Sequence, residues 1–401
     1  MSDLYAALEI GTTRTVLAVG ETDGAGRLKI TSHAEIPSIG IRKSQILDIN
    51  QATQSIRSVL QKTEKAQSEQ GSKVTIGNVL LVVSGQHIKA SPFLGSAQVG
   101  GSRVGAEDLN AVLNSARTLT LPKDRELLDI VDQDFILDGR GGISAPQGMA
   151  GSVLKLNTLQ IHADRNRIQD ARTAADAAHL EIREPLFAVT CAADAVLEDH
   201  EKKHGALVID LGGGSTGYTF YCDGYVVSCG VIGIGGDHVT NDIAHAFQTT
   251  NAQAEGMKIG AASAIIRPAD GDSARVRVEQ GENTLMDNRT ISRRALDTVV
   301  NARLMELFTV IRETLEDQDI LHRLHSGVVL TGGGARLRDI DTLAEQMLGA
   351  SVRIGRPLHV DGLDDVEFPA AYAAVAGALL YASRNFEEKS LFGGLFGRLF
   401  K

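Results

Sequence analysis

Far apart in the chain, two stretches repeat one plan: ALEIGTTRTVLAVGETDGAG from Ala7 and LVIDLGGGSTGYTFYCDGYV from Leu207. Each reads as a strand, a tight Gly/Thr/Ser turn and a second strand. Apolar residues alternate on both sides of the turn, and a further turn follows at Asp23-Gly24 or Asp223-Gly224. Such a repeat in a chain of 401 residues implies two similar halves. The separation between the repeats leaves room for helices. Apolar residues at helical spacing run over Ile49 to Gln70, with Asp48 or Asn50 as N-cap, over Asn166 to Leu180 and over Ser292 to Glu316. The expected fold class is α/β.

Between Ser84 and Asp164 the texture changes. A Gly/Pro/Ser-rich entry leads to a charged helix near Ala106 to Leu119 and to strand-like segments around Leu127 to Leu137 and Val153 to Ile161, which together read as an insertion. A second inserted unit covers roughly Asn241 to Asn301, with Pro268 to Asp287 as hairpin and loop. Arg384 to Lys389 reads as a short polar tether; extended, it spans about 20 Å at ~3.5 Å per residue.

Charge and cysteine usage narrow the function classes. A formal net charge of −10 argues against general nucleic-acid binding, which needs a basic face to neutralise phosphates. Cys191, Cys222 and Cys229 belong to no Cys/His cluster at metal-ligand spacing, so a reducing cytosol and no zinc are expected. The N-terminus runs directly into the alternating strand from Leu4, with no basic region or apolar signal core. Phe368 to Ser383 is apolar but too short for a bilayer span, and reads as a buried helix.

Three glycine turns follow expected strands: Gly11-Thr12-Thr13, Gly212-Gly213-Gly214-Ser215-Thr216 and Gly332-Gly333-Gly334-Ala335-Arg336. Glycine lets phosphate oxygens approach backbone N–H donors, and the Thr12, Thr13, Ser215 and Thr216 hydroxyls add further donors. The first two turns open a strand rather than a helix, which disfavours a dinucleotide fingerprint, and no Gly-Lys-Ser/Thr ends a loop as a P-loop requires. His33, His87 and His245 have no nucleophile or acid at useful spacing and read as structural.

The chain ends SLFGGLFGRLFK. At 100° per residue, Leu391, Phe392, Leu395, Phe396, Leu399 and Phe400 fill about half the circumference. Gly393, Gly394, Gly397, Arg398 and Lys401 fill the rest. This is the pattern of an interfacial amphipathic helix whose cations meet anionic lipid. Its apolar residues offer ~1.5–3 kcal/mol each on burial, while each glycine costs about 1 kcal/mol relative to alanine. One tail therefore binds membrane modestly, and many tails on one polymer bind as a unit.

The paired hairpins, the later VVLTGGGARL and the intervening EPLFAVTCAADA resemble the actin, sugar-kinase and heat-shock chaperone ATPase superfamily, with its ribonuclease H-like fold. Within it, LEIGTTRTVLAVGE, SGQHI, VIGIGGDHVTNDIAHAF, AEGMKIG and SVRIGRPLHVDGL resemble the FtsA family of bacterial cell-division proteins, over nearly the whole chain. The resemblance implies an actin-like clamp holding ATP and Mg2+. Residues 1–84 and 163–194 would form the first core half, 85–162 the family-specific insert, 195–240 and 302–383 the second core half, 241–301 a second insert, 384–389 a tether and 390–401 the membrane helix.

The resemblance also implies roles. Gly11 to Thr13 and Gly212 to Thr216 would hold the β- and γ-phosphates, and Gly235 and Gly236 of the VIGIGGD motif would also be among the nucleotide-binding residues. Glu9, where many relatives carry Asp, and Asp210 would hold Mg2+. Glu255 and Lys258 match contacts to ribose and adenine, and Gly332, Gly333, Gly334 and Arg336 would pass the adenine and α-phosphate. Glu184, just before Pro185, falls where relatives orient the attacking water. Gly217 stands where relatives often have an acidic residue, so slow ATP turnover or none is expected.

In the family, polymers on the cytoplasmic face of the inner membrane tether FtsZ through its carboxy-terminal peptide and recruit later division proteins. Arg303 and Glu306 match the peptide-docking positions. Two competing readings remain: a soluble kinase or phosphatase of the superfamily, and a type IV pilus assembly adaptor of the same fold. The tail argues against both.

Overall fold

The computed structural model describes residues 4–23, 27–69, 71, 75–118, 121–267, 274–278 and 289–392, with side chains beyond residue 385 excepted. The first half opens with β1 (Leu4–Ile10), β2 (Arg14–Thr22) and β3 (Leu28–Pro37), followed by a two-residue-turn hairpin, β4 (Ile41–Arg42) and β5 (Gln45–Ile46). Helix α1 (Ile49–Glu69) and β6 (Asn78–Val83) come next. An inserted unit follows, made of β7 (Lys89–Gln98), α2 (Ala106–Ala116), β8 (Arg125–Leu137), β9 (Arg140–Ile143) and β10 (Val153–Asp164). The chain returns through α3 (Arg165–Ala177), β11 (Glu181–Phe187) and α4 (Ala188–Val196).

The second half runs through α5 (Asp199–His204), β12 (Ala206–Leu211), β13 (Thr216–Cys222), β14 (Tyr225–Ile232), α6 (Gly236–Phe247) and α7 (Asn251–Gly260). Then come β15 (Arg275–Arg277), β16 (Thr290–Ser292), α8 (Arg293–Asp317), β17 (Val328–Thr331), α9 (Ile340–Leu348) and β18 (Val352–Ile354). After these the chain crosses back to the first half with β19 (Val360–Asp361), paired with β3, and α10 (Ala373–Phe392), packed on α4, β1 and β2, so the second half does not run to residue 383 as expected.

The internal repeat is realised as topology. One large sheet is ordered β11-β6-β1-β2-β3-β19 and the other β14-β13-β12-β17-β18. In each, three antiparallel strands joined by tight turns give way to a parallel partner, β6 beside β1 and β17 beside β12. The central strands are buried on both faces, which explains their continuous apolar runs. Each half has its own apolar core, one around Leu8, Leu17, Ile56 and Leu81, the other around Phe220, Val300, Phe308 and Leu330. Fully burying one such side chain contributes ~1.5–3 kcal/mol.

Helix starts follow from local chemistry. The Asp48 carboxylate accepts from the Asn50 and Gln51 amides at 2.9 and 3.1 Å, so Asp48 rather than Asn50 starts α1. Asp164 does the same for Asn166 in α3, and Ser292 for Ala295 in α8. Several unit boundaries expected from the sequence fall inside elements: 194/195 within α4, 240/241 within α6, 301/302 within α8, and residues 384–389 within α10. Residues 268–273 and 279–288 lie outside the described residues, between and beside the paired strands β15 and β16.

The inserted unit is a sheet ordered β7-β10-β8-β9 with α2 on one face and a small core of Val104, Val112, Leu137, Leu154 and Leu156. Arg125 fixes its root, donating to His162 Nδ1 at 2.8 Å and to the His87 carbonyl at 2.7 Å. The Gln133 amide fixes its far side, donating to the Val226 carbonyl of β14 at 2.8 Å. Between the halves, α4 packs on α10, both rich in alanine. They approach so closely at Gly377 that a β-carbon there would overlap the Cys191 carbonyl oxygen.

Candidate functional site

The two hairpin turns have the same construction. Gly11 N donates to Arg14 O at 3.0 Å, and Gly212 N donates to Ser215 O at 3.1 Å. Each glycine is required for the same reason: an added β-carbon would sit 2.7 Å from Arg14 O in one copy and 2.8 Å from Ser215 O in the other. The turns face one another across a cleft, where a β-carbon on Gly213 would lie 2.5 Å from the Thr13 methyl and 3.1 Å from its hydroxyl. Gly235 and Gly236 bring the start of α6 onto the second turn, with Gly236 N and Asp237 N donating to Gly212 O and Gly213 O, each at 2.9 Å.

Glu9 and Asp210 end the central strands β1 and β12 at the cleft floor. Both side chains are only partly accessible, and protein surrounds them on the remaining sides. Burial raises the pKa of Glu9, with Arg14 opposing the rise and Glu35 adding to it. Burial, then repulsion from Glu9, pushes Asp210 up to about 7, again against Arg14. The third glycine turn lies under the same carboxylate: Gly332 adopts φ +80°, and any side chain there would strike Asp210 Oδ1 and the Leu211 backbone. Two hard carboxylates short of positive charge fit a dication of the Mg2+ type.

Glu255 and Lys258 sit together on α7 and join a network. Lys258 Nζ lies 2.7 Å from Glu255 Oε2, 2.8 Å from Thr240 Oγ1 and 3.2 Å from Gly236 O. Opposite them, the Arg336 guanidinium lies 5.5 Å over the Phe368 ring and pairs with Glu367 at 2.7 Å. Leu304, Leu307 and Ile340 line the space between. The cleft encloses a cavity of about 460 Å³, polar at the glycine turns and apolar at this end.

Four cleft residues escaped the sequence reading as site residues. Arg14 pairs with Glu35, donates to the Ala371 carbonyl and lies 5.2 Å over the Tyr372 ring. Tyr372 donates to Glu35 at 3.2 Å, and His33 meets Tyr372 edge-on at 5.1 Å. Burial lowers the His33 pKa and, with Glu35 beside it, raises Tyr372 to about 12. Only the position of Arg14 just after a glycine turn offered a signal.

Glu184 lies elsewhere. On β11, its carboxylate accepts from the Tyr381 hydroxyl of α10 at 3.1 Å; like Glu9 and Asp210, it does not line the cavity itself. Arg303 and Glu306 are adjacent on α8 at 2.5 Å, but the Arg303 fork is also held by Asp242 of α6 at 2.6 and 3.1 Å. Leu391 and Phe392 end α10 with undescribed side chains, and Leu395, Phe396, Arg398, Leu399, Phe400 and Lys401 lie outside the described residues. Among the described residues, no group of three His, Cys, Asp or Glu side chains is placed to hold a metal, and no helix is long and apolar enough to cross a membrane.

Duplicated halves, each ending a hairpin in a glycine turn above a carboxylate, define the actin-like ATPase fold. Solved structures agree: the PilM-PilN type IV pilus biogenesis complex matches with a TM-score of 0.65 at 16% identity, covering 94% of this chain and 98% of that one. MreB5 of Spiroplasma citri bound to ADP matches at 0.54 and 13%, covering 97% and 98%. At these identities the likeness is one of fold.

Sequence relatives go further. The family profile for cell division protein FtsA matches residues 207–377, and that for the SHS2 domain inserted in FtsA matches residues 85–162. Cell division protein FtsA of Pseudomonas aeruginosa is 31% identical over 379 residues, covering 94% of this chain and 89% of that protein. The Bacillus subtilis protein is 29% identical over 387 residues, covering 96% and 84%. The chain belongs to the FtsA family of cell-division proteins.

Proposed function

We propose that the chain binds ATP with Mg2+ in the cleft and, so loaded, polymerises on the cytoplasmic face of the membrane at the division site. There it ties FtsZ filaments to anionic lipid and recruits later division proteins. The observation that carries this reading is the matched pair of turns at Gly11 and Gly212, facing each other above Glu9 and Asp210.

Backbone amides of Gly11 to Thr13 and Gly212 to Thr216 would grip the phosphates from opposite sides. Glu9 and Asp210 would hold the dication, which supplies charge neutralisation for the phosphates. Lys258 and Glu255 suit ribose and adenine edges, and Arg336 with the apolar wall suits the base. Closing the halves on nucleotide favours one conformation, and assembly selects it. Slow hydrolysis is in keeping with the Glu184 carboxylate bound to Tyr381 and with a glycine at position 217. Arg303 and Glu306 would dock the FtsZ carboxy-terminal peptide, and residues 390–401 would anchor each subunit weakly, the polymer strongly.

The test is equilibrium binding of a fluorescent ATP with and without Mg2+, alongside liposome pelleting of the full chain and of a chain lacking residues 390–401. Mg2+-dependent binding, and pelleting that needs the last twelve residues, is the expected result. Absence of nucleotide affinity, or pelleting indifferent to the deletion, overturns it.

A further inference from the structure

The hairpin β4–β5 has no role in the reading above, yet its tip stands at the meeting point of the two glycine turns. Ser44 N donates to Thr12 Oγ1 at 2.8 Å, and Ser44 Oγ lies 3.4 Å from Thr12 Oγ1 and 3.3 Å from Ser215 Oγ. One hydroxyl therefore links a hydroxyl of the first turn to a hydroxyl of the second. Lys43 is equally close: a β-carbon on Gly214 would lie 3.0 Å from Lys43 Cα.

The finger is stiffly mounted. At its base, Ser38 N donates to Thr13 O at 3.0 Å, and Ser38 Oγ meets Thr15 Oγ1 at 2.8 Å. Leu47 N and Asp48 N close on Gly40 O at 2.7 and 3.2 Å, and Asp48 is the cap that starts α1. A two-residue turn of this kind needs positive φ at both positions and favours Asn-Gly. Here Lys43 and Ser44 adopt φ 50° and 56°. Two side chains are thus held in an unfavourable backbone region where smaller residues would be more comfortable, an arrangement that clusters at functional sites.

Charge sharpens the point. The other cations of the cleft are engaged: Arg14 with Glu35, Lys258 with Glu255, Arg336 with Glu367. Among the described residues Lys43 forms no ion pair. The Ser44 hydroxyl where both turns converge, and the exposed Lys43 whose backbone abuts Gly214 so that its flexible side chain has the reach to bring an ammonium there, complement the terminal phosphate of a nucleoside triphosphate, which a diphosphate lacks. We propose that Lys43 and Ser44 read the terminal phosphate and set the preference for triphosphate over diphosphate. This rests on the cleft being a nucleotide site.

The experiment measures affinities of the full chain for ADP and for a non-hydrolysable ATP analogue, both with Mg2+, together with the thermal midpoint. Lys43→Ala is expected to weaken the analogue by about ten- to a hundredfold, the loss of a charged hydrogen bond, and to leave ADP unchanged. Lys43→Arg retains the preference. The double variant Lys43→Asn/Ser44→Gly installs the favoured turn, so its thermal midpoint rises while its triphosphate preference falls. A raised midpoint with unchanged preference, or equal weakening of both nucleotides by Lys43→Ala, overturns the proposal. If the unaltered chain binds neither nucleotide, the nucleotide reading itself fails and this proposal with it.

Discussion

Val189 of α4 packs directly against Gly217 of β13: a β-carbon at Gly217 would lie 2.9 Å from the Val189 β-carbon. Position 217 therefore carries the close approach of the two halves beneath the second glycine turn, and no side chain fits there. Gly217→Ala is expected to destabilise the fold by about 1–3 kcal/mol through overpacking. Adding Val189→Ala should recover little of that loss, because alanine keeps the β-carbon that makes the closest contact, and urea denaturation of the two variants checks this.

Asp210 faces Glu9 across the floor of the cleft with Arg14 as their near cation. Removing one of two like charges at a largely enclosed site relieves their repulsion and, on the proposed reading, would take a ligand from the dication. Asp210→Asn should raise the thermal midpoint without nucleotide and lower Mg2+-dependent nucleotide affinity by about tenfold or more. Calorimetric titration with and without EDTA separates the two effects.

His87 sits at the root of the inserted unit, its Nδ1 buried without a hydrogen-bond partner. Burial, with Arg167 and Arg125 nearby, lowers its pKa from 6.5 to about 4. The fold thus favours neutral imidazole. Its contribution is complete above about pH 6.5 and is lost as pH falls toward 4, by up to about 3 kcal/mol. His87→Gln should flatten the stability profile over that interval; an unchanged slope in denaturation curves refutes the assignment.

Arg303 is shared between Asp242 and Glu306, so on the proposed docking role a peptide carboxylate would have to compete with Asp242 for the same fork. Arg303→Ala is expected to weaken binding of the FtsZ carboxy-terminal peptide by about tenfold or more. Asp242→Asn should strengthen it. Fluorescence anisotropy with a labelled peptide measures both.

The repeat, the strand-turn-strand units and the long helices were legible because each is a local pattern: alternation around Gly11 and Gly212, helical spacing after Asp48 and from Ser292. The positions of Asp210 and Glu9 were legible because each lies near the end of a strand beside a glycine turn. The Lys43–Ser44 tip was not, because its meaning lies in a contact with Ser215, 171 residues away. The same holds for Arg14 with Ala371 and for Asp242 with Arg303, where separation leaves no periodic trace. For Glu184 a local motif marks the residue but not the direction of its side chain, which follows the bulge at Ile182/Glu184 and the Tyr381 hydroxyl.

The close crossing of α10 and α4 at Gly377 has a mechanical meaning. α10 is the helix from which the carboxy-terminal end departs, and α4 is the helix whose Val189 abuts Gly217. Tension applied at that end would load α10, pass through the Cys191 carbonyl into α4 and bear on the seam between the lobes.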